Sequence, residues 1–200
     1  MQEAGQLSRD VAVLKAGLGE MPQPVACPCL VVVSGLPGTG KSYFCRRLAE
    51  RAEVVVLESD RLRKTLFSSP TYGQDEHLRL FPACHALVRE LLAGGVSVAF
   101  DATNLEERHR EPLYHIADQV GAELVIVQVS APEEVVHKRL ENRERGLDSD
   151  GVSDASRRVY QAMQSRADRI RRSHYVVDTS KDISPALDKV VHRISRPVSR

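Results

Sequence analysis

Short apolar runs recur along this chain at residues 30–34, 54–57, 96–100, 124–129 and 175–177, separated by longer stretches with apolar residues at helical spacing. None of the runs alternates strictly with polar residues, so each reads as a strand covered on both faces. Strands alternating with helices predict βαβ units, hence an α/β fold with a five-stranded parallel sheet between helical layers. Right-handed crossovers place the first strand centrally and bring the functional residues to the carboxyl edge of the sheet. The spacing predicts helices over 43–52, where Phe44, Leu48 and Ala49 share a face, over 105–120, after Pro132, and over 154–172. Before the first strand, Val11, Val13, Leu14 and Leu18 read as a short helix and Met21-Pro22-Gln23-Pro24 as a linker. The expected division is an extension and linker over 1–28, one domain over 29–195 and a tail over 196–200.

The first strand feeds directly into Gly35-Leu36-Pro37-Gly38-Thr39-Gly40-Lys41-Ser42, which has the GxxxxGK[ST] form of a phosphate-binding loop. The glycines let successive backbone N–H groups turn inward on a β-phosphate, and Lys41 reaches the β and γ oxygens from the next helix. Ser42 offers its hydroxyl to Mg2+, and Tyr43 follows at the nucleotide's edge. A strand before the loop and a helical pattern after it separate this reading from a glycine turn with a surface lysine. The implied ligands are ATP and Mg2+.

Composition narrows the class further. With 200 residues and 42% hydrophobic content the chain can bury a full α/β core. Its 28 basic and 27 acidic residues leave a net charge of +1, so no global field attracts nucleic acid or membrane, and any polyanion site must be local. No apolar stretch is long enough for a signal peptide or a bilayer span, and a cytoplasmic location is expected. Four cysteines are too few for a disulfide framework. Cys27 and Cys29 flank a proline without the second pair that a zinc site needs, and Cys45 and Cys84 fall on helices as small packed hydrophobes. His77, His85 and His115 show no metal-binding spacing and read as surface or half-buried residues.

The remaining candidate chemistry lies at the strand ends. After the second run, Asp60 opens a helix, where it serves either as the helix cap or as a general base for an acceptor hydroxyl. Arg63 follows one turn later, beside Asp60 either as a substrate clamp or as an intrahelical ion pair. The third run ends in Asp101-Ala102-Thr103-Asn104. Asp101 is placed to hold Mg2+ through water, and Thr103 and Asn104 to contact substrate, with capping of the next helix as the alternative. Beyond Pro132, Arg139 and Arg143 share a helix face ahead of a glycine- and acid-rich loop, residues 146–151, with Ser153 or Asp154 capping the helix after it. This reads as a mobile lid closing on phosphates, or as a solvated face shared with Glu141 and Glu144. Arg157, Arg158, Arg166, Arg169, Arg171 and Arg172 fall on the predicted 154–172 helix. With Tyr160 its only aromatic, that helix reads as a solvated face rather than a polyanion groove.

Taken together, GLPGTGKS at 35–42, SDRLRKTL at 59–66, FDATNL at 100–105, KRLENRERG at 138–146 and SDASRRVY at 153–160 resemble the P-loop kinases of the AAA_33 type. These are related to polynucleotide 5′-hydroxyl kinases and, more distantly, to zeta toxin and gluconate kinases. The resemblance implies a nucleoside-monophosphate-kinase-like sheet of order 2-3-1-4-5 with a lid. It implies Asp60 as the base, Arg63 on the acceptor's phosphate, Arg139 near the nucleotide base and Arg143 on the transferring phosphate. The activity implied is transfer of the ATP γ-phosphate to a hydroxyl, with a polynucleotide 5′ end as one acceptor class and a nucleoside, sugar or antibiotic as another. A nucleotide-gated binding module is the reading outside enzymes. Acceptor specificity is expected between residues 68 and 95, from Thr71, Tyr72, Gly73 and the following helix.

Overall fold

A computed structural model describes residues 2–145 and 157–195. The expected lid loop at 146–151, the caps Ser153 and Asp154, and the tail at 196–200 lie outside the described residues. The chain begins with α1 (Gln2–Ala16), followed by β1 (Cys29–Ser34), α2 (Lys41–Ala49), β2 (Val55–Glu58), α3 (Ser59–Leu66) and α4 (Gln74–Ala93). Then come β3 (Val98–Asp101), α5 (Glu107–Val120), β4 (Glu123–Ser130), α6 (Glu133–Glu144), α7 (Arg157–Gln164), β5 (Tyr175–Asp178) and α8 (Ser184–Ser195).

All five strands pair in parallel in the order β2-β3-β1-β4-β5, as the apolar runs and the family resemblance predict. The central β1 is buried along its whole length because its side chains feed two cores in alternation. Leu30 and Val32 join Leu57, Leu87, Phe100 and Leu113 on the face covered by α1, α3, α4 and α5. Val31 and Val33 join Phe44, Leu48, Val127 and Leu187 on the opposite face, under α2 and α8. That double burial explains why the run carries no polar residue before Ser34.

The short helix expected before the first strand is present as α1: Val11 and Leu14 are buried in the first core, and Asp10 takes a two-pronged hydrogen bond from Arg79 of α4 at 2.7 and 2.8 Å. One expectation is revised. The helix predicted over 154–172 stops at Gln164. Ile170 is buried between Tyr114 of α5 and Ile126 of β4, and Asp168 accepts a hydrogen bond from the backbone N–H of Glu107 at 2.9 Å, so residues 167–172 form a non-helical strap across the start of α5. Arginine density raised the helix propensity of this segment, and tertiary anchoring overrode it.

Candidate active site

The loop between β1 and α2 turns at the sheet's carboxyl edge. Gly38 and Gly40 sit at φ of 78° and 91°, in the left-handed region that favours glycine. At Gly35 the constraint is space. A Cβ there would stand 2.3 Å from the carbonyl oxygen of Val129 and 2.9 Å from Thr39 Oγ1. Gly35→Ala should therefore push the loop off β4, costing about 1–3 kcal/mol of stability. Thermal unfolding together with ATP titration checks this, with weakened binding expected alongside the lowered melting temperature. Inside the loop, Lys41 Nζ donates to the Leu36 carbonyl at 3.1 Å and Thr39 Oγ1 to the same oxygen at 2.7 Å.

The loop borders a cleft of about 610 Å3 into which Lys41, Ser42, Asp60, Arg63, Asp101 and Arg143 all project. Tyr43, Thr103 and Arg139 also line it, whereas Gly35, Leu36 and Thr39 stand behind its wall and shape the loop. Ser42 Oγ donates to Asp101 Oδ2 at 2.6 Å. Glu58 is the register partner of Asp101 at the ends of β2 and β3, and it is hydrogen-bonded to Ser42 as well. Burial, and then the neighbouring Asp101, pushes the Glu58 carboxyl up. Burial likewise raises Asp101 against the pull of Lys41, and burial lowers Lys41 against the pull of Asp101 and Asp60. Two adjacent carboxylates sharing one hydroxyl, in a place that burial makes costly for negative charge, are a donor set suited to a hard divalent cation such as Mg2+.

No side chain caps α3, and the Asp60 carboxylate makes no hydrogen bond among the described residues. The same holds at α5, which no Thr or Asn caps and whose Glu107 N–H is taken instead by Asp168. Asn104 departs from its expected role as a substrate contact. At φ 44° it turns its amide under the sheet, where Nδ2 donates to the Val33 carbonyl at 2.8 Å, and its own carbonyl accepts from Ser34 Oγ at 2.9 Å and from Arg110 at 2.7 Å. The side chain is buried and holds the end of β3 to β1.

Arg63 does not pair with Asp60. Its Nη1 donates to Glu76 Oε2 at 3.0 Å, and its guanidinium lies 5.0 Å from the centre of the Tyr72 ring. Its Nε is buried without a hydrogen-bond partner among the described residues. Glu76 also accepts from the backbone N–H of Thr71 at 2.7 Å, from Thr71 Oγ1 at 2.8 Å and from the N–H of Tyr72 at 3.0 Å. These bonds, the Thr71 backbone foremost, hold its carboxyl at about 2. Glu76 thereby fixes both Arg63 and the left-handed Tyr72, at φ 58°, as one wall of the cleft. His77 and Phe81, with ring centres 4.2 Å apart, continue that wall. From the segment expected to carry acceptor specificity, Tyr72, His77 and Phe81 line the cleft. His77, read as an ordinary residue, lines it, and burial and the nearby His109 lower its pKa.

Arg139 is engaged with the loop and the end of β5. It donates to Thr179 Oγ1 at 2.8 Å, to the Thr179 carbonyl at 3.0 Å and to the Gly38 carbonyl at 3.3 Å, while Thr179 Oγ1 donates to the Thr39 carbonyl at 2.6 Å. Sequence reasoning missed Glu58, Thr179 and Lys181, all of which line the cleft. Glu58 carried a signal, as the polar residue closing an apolar strand. Thr179 and Lys181 follow a strand too short to direct attention to its end.

A phosphate loop at the carboxyl edge of a 2-3-1-4-5 parallel sheet, opening onto a cleft with two carboxylates beside the loop serine, defines a P-loop nucleotide-binding protein of the kinase type. The chain belongs to the AAA_33 family, described as an AAA domain, whose profile matches residues 30–170. Among its relatives, the L-seryl-tRNA(Sec) kinase of Methanococcus maripaludis is 30% identical over 122 residues, which are 58% of this chain and 46% of that protein. The chain therefore aligns with less than half of that relative. A UPF0200 protein of Saccharolobus islandicus is 27% identical over 140 residues, 64% of this chain and 72% of its own length. In fold the chain is similar to Chaetomium thermophilum Kti12 in complex with ADP-AlF3, with a TM-score of 0.63 at 21% identity over 84% of this chain and 100% of that one. It is also similar to the Mycobacterium tuberculosis APS kinase CysC in complex with AMPPNP and APS, with a TM-score of 0.61 at 20% identity over 87% of this chain and 100% of that one. Among the described residues no helix is long and apolar enough to cross a membrane.

Proposed function

We propose that this protein transfers the γ-phosphate of ATP to an acceptor hydroxyl and that a polynucleotide 5′ end is that acceptor. One observation carries the reading: a single cleft is lined by the phosphate loop, by Asp60, which supplies no cap to α3, and by Arg63, whose buried Nε has no hydrogen-bond partner among the described residues. A carboxylate free of structural duty suits a proton acceptor, and a buried guanidinium N–H without a partner suits an anion next to the reacting hydroxyl. The relative named as a kinase of seryl-tRNA supports phosphate transfer to a nucleic-acid-borne substrate.

In this reading Asp60 takes the proton as the acceptor oxygen bonds to the γ-phosphorus, the bond from phosphorus to the β,γ-bridging oxygen breaks, and ADP leaves. Lys41 and Arg143 balance the charge that spreads over the transferring group, which is where most of the rate in such reactions originates. Ser42 and Asp101, with Glu58, would hold Mg2+. When bound, the ion neutralises charge on the β and γ oxygens. Glu58→Gln should raise the Mg2+ concentration needed for half-maximal ATP binding by roughly 10-fold and leave metal-free ATP binding unchanged. Titration of fluorescent ATP at graded Mg2+ reads both.

The deciding assay follows label from γ-labelled ATP with Mg2+ into 5′-hydroxyl DNA and RNA oligonucleotides, nucleosides, sugars and aminoglycosides. Labelled oligonucleotide ends support the proposal. Labelling of a small acceptor alone transfers the assignment to a small-molecule kinase, and ATP binding with no acceptor labelled transfers it to a nucleotide-gated module.

A further inference from the structure

The strap and the residue before it carry four arginines between residues 166 and 172, yet the whole chain has a net charge of only +1. Its residues divide by direction. Asp168, the one acid among them, is exposed but anchored: its backbone N–H donates to the Leu105 carbonyl at 3.0 Å and its carboxylate accepts from the Glu107 N–H at 2.9 Å. Ile170 is buried against Tyr114 and Ile126, and the Arg172 guanidinium stacks 4.4 Å from the centre of the Tyr114 ring. Arg166, Arg169 and Arg171 are left exposed, with no ion pair among the described residues. The nearby glutamates do not offset them, because Glu107 is bound to Arg110 and Glu106 to Arg108. A solvated face on a free helix would mix its charges. Here the segment's one acid is tied to the start of α5 and is outnumbered by the exposed cations beside it.

The strap starts four residues after a side chain that lines the cleft. Met163 lines the cleft, and its carbonyl accepts the backbone N–H of Arg166 at 3.1 Å. At the strap's other anchor, the first turns of α5 carry His109, whose ring lies 5.8 Å from His77 of the acceptor wall. We propose that Arg166, Arg169 and Arg171 form a docking track for the phosphodiester backbone of a single-stranded polynucleotide whose end occupies the cleft. The track lies outside the cleft, so it engages a polymer and not a mononucleotide. It presents guanidinium groups with Tyr114 covered beneath Arg172, so it reads charge and not base identity. This inference rests on the proposed acceptor class and makes it specific to chains several nucleotides long.

The test is binding of 3′-fluorescent single-stranded oligonucleotides, 3 and 20 nucleotides long, across a salt series, with no ATP turnover involved. The wild-type protein should bind the longer strand more tightly. An R166Q/R169Q/R171Q variant should lose that advantage and show a salt slope shallower by roughly 2, three phosphate contacts at about 0.7 each. All three side chains are exposed and make no anchoring contact, so the variant should keep the wild-type melting temperature and ATP affinity. An unchanged salt slope or an unchanged length preference would overturn the track, as would binding of the wild-type protein to anionic phospholipid vesicles in place of oligonucleotides. If the 20-mer binds as expected and no label is ever transferred to it, the track stands and the polynucleotide acceptor fails.

Discussion

Asp60→Asn is expected to bind ATP as tightly as the wild-type protein and to transfer phosphate about 10²–10⁴-fold more slowly, the range that a positioned general base contributes. The substitution keeps size and shape and removes only the ability to take a proton. It leaves α3 intact because Asp60 supplies no cap bond to that helix. Were Asp60 structural, the same change would lower the melting temperature and impair ATP binding and transfer together. Single-turnover transfer set beside an ATP titration separates the two, and normal transfer by Asp60→Asn would remove the base from the mechanism. The variant is also the control for the acceptor assay, since label that survives it comes from contaminating activity.

Lys41→Ala should reduce kcat/KM by about 10³, or some 4 kcal/mol of transition-state stabilisation, and should weaken ATP binding as well. The ammonium is held by the Leu36 carbonyl and flanked by the carboxylates of Asp101 and Asp60, so removing it leaves those acids unbalanced opposite an incoming triphosphate. The pair of variants is diagnostic, because the proposed mechanism has Lys41 act on nucleotide and transition state and Asp60 on the acceptor. A Lys41→Ala protein with wild-type affinity and rate would mean that the loop does not receive the nucleotide.

Much of this was legible in the order of residues. The five apolar runs gave the strands to within two residues, because a strand buried on both faces must be continuously apolar and that demand is written locally. The phosphate loop was legible because its chemistry is backbone chemistry, and only glycine at Gly38 and Gly40 readily takes the turn. Asp60, Arg63 and Asp101 could be located by counting from strand ends, since parallel strands deliver their carboxyl ends to one edge.

What the sequence by itself determined, then, is the parallel α/β fold, the nucleotide loop and the edge at which chemistry collects, each fixed by near-neighbour patterns. Only the tertiary structure decided how those residues are used. Asn104 was turned into a strut between β3 and β1, Arg63 was given to Glu76 and Tyr72, and Glu58 was set beside Asp101 by strand register. The arginine-rich segment was drawn out of a helix by the burial of Ile170 and the Asp168 bond to α5. Each of these outcomes depends on a partner at least 13 residues away in the chain. Local propensity is a weak preference that one buried side chain or one satisfied backbone N–H overrides.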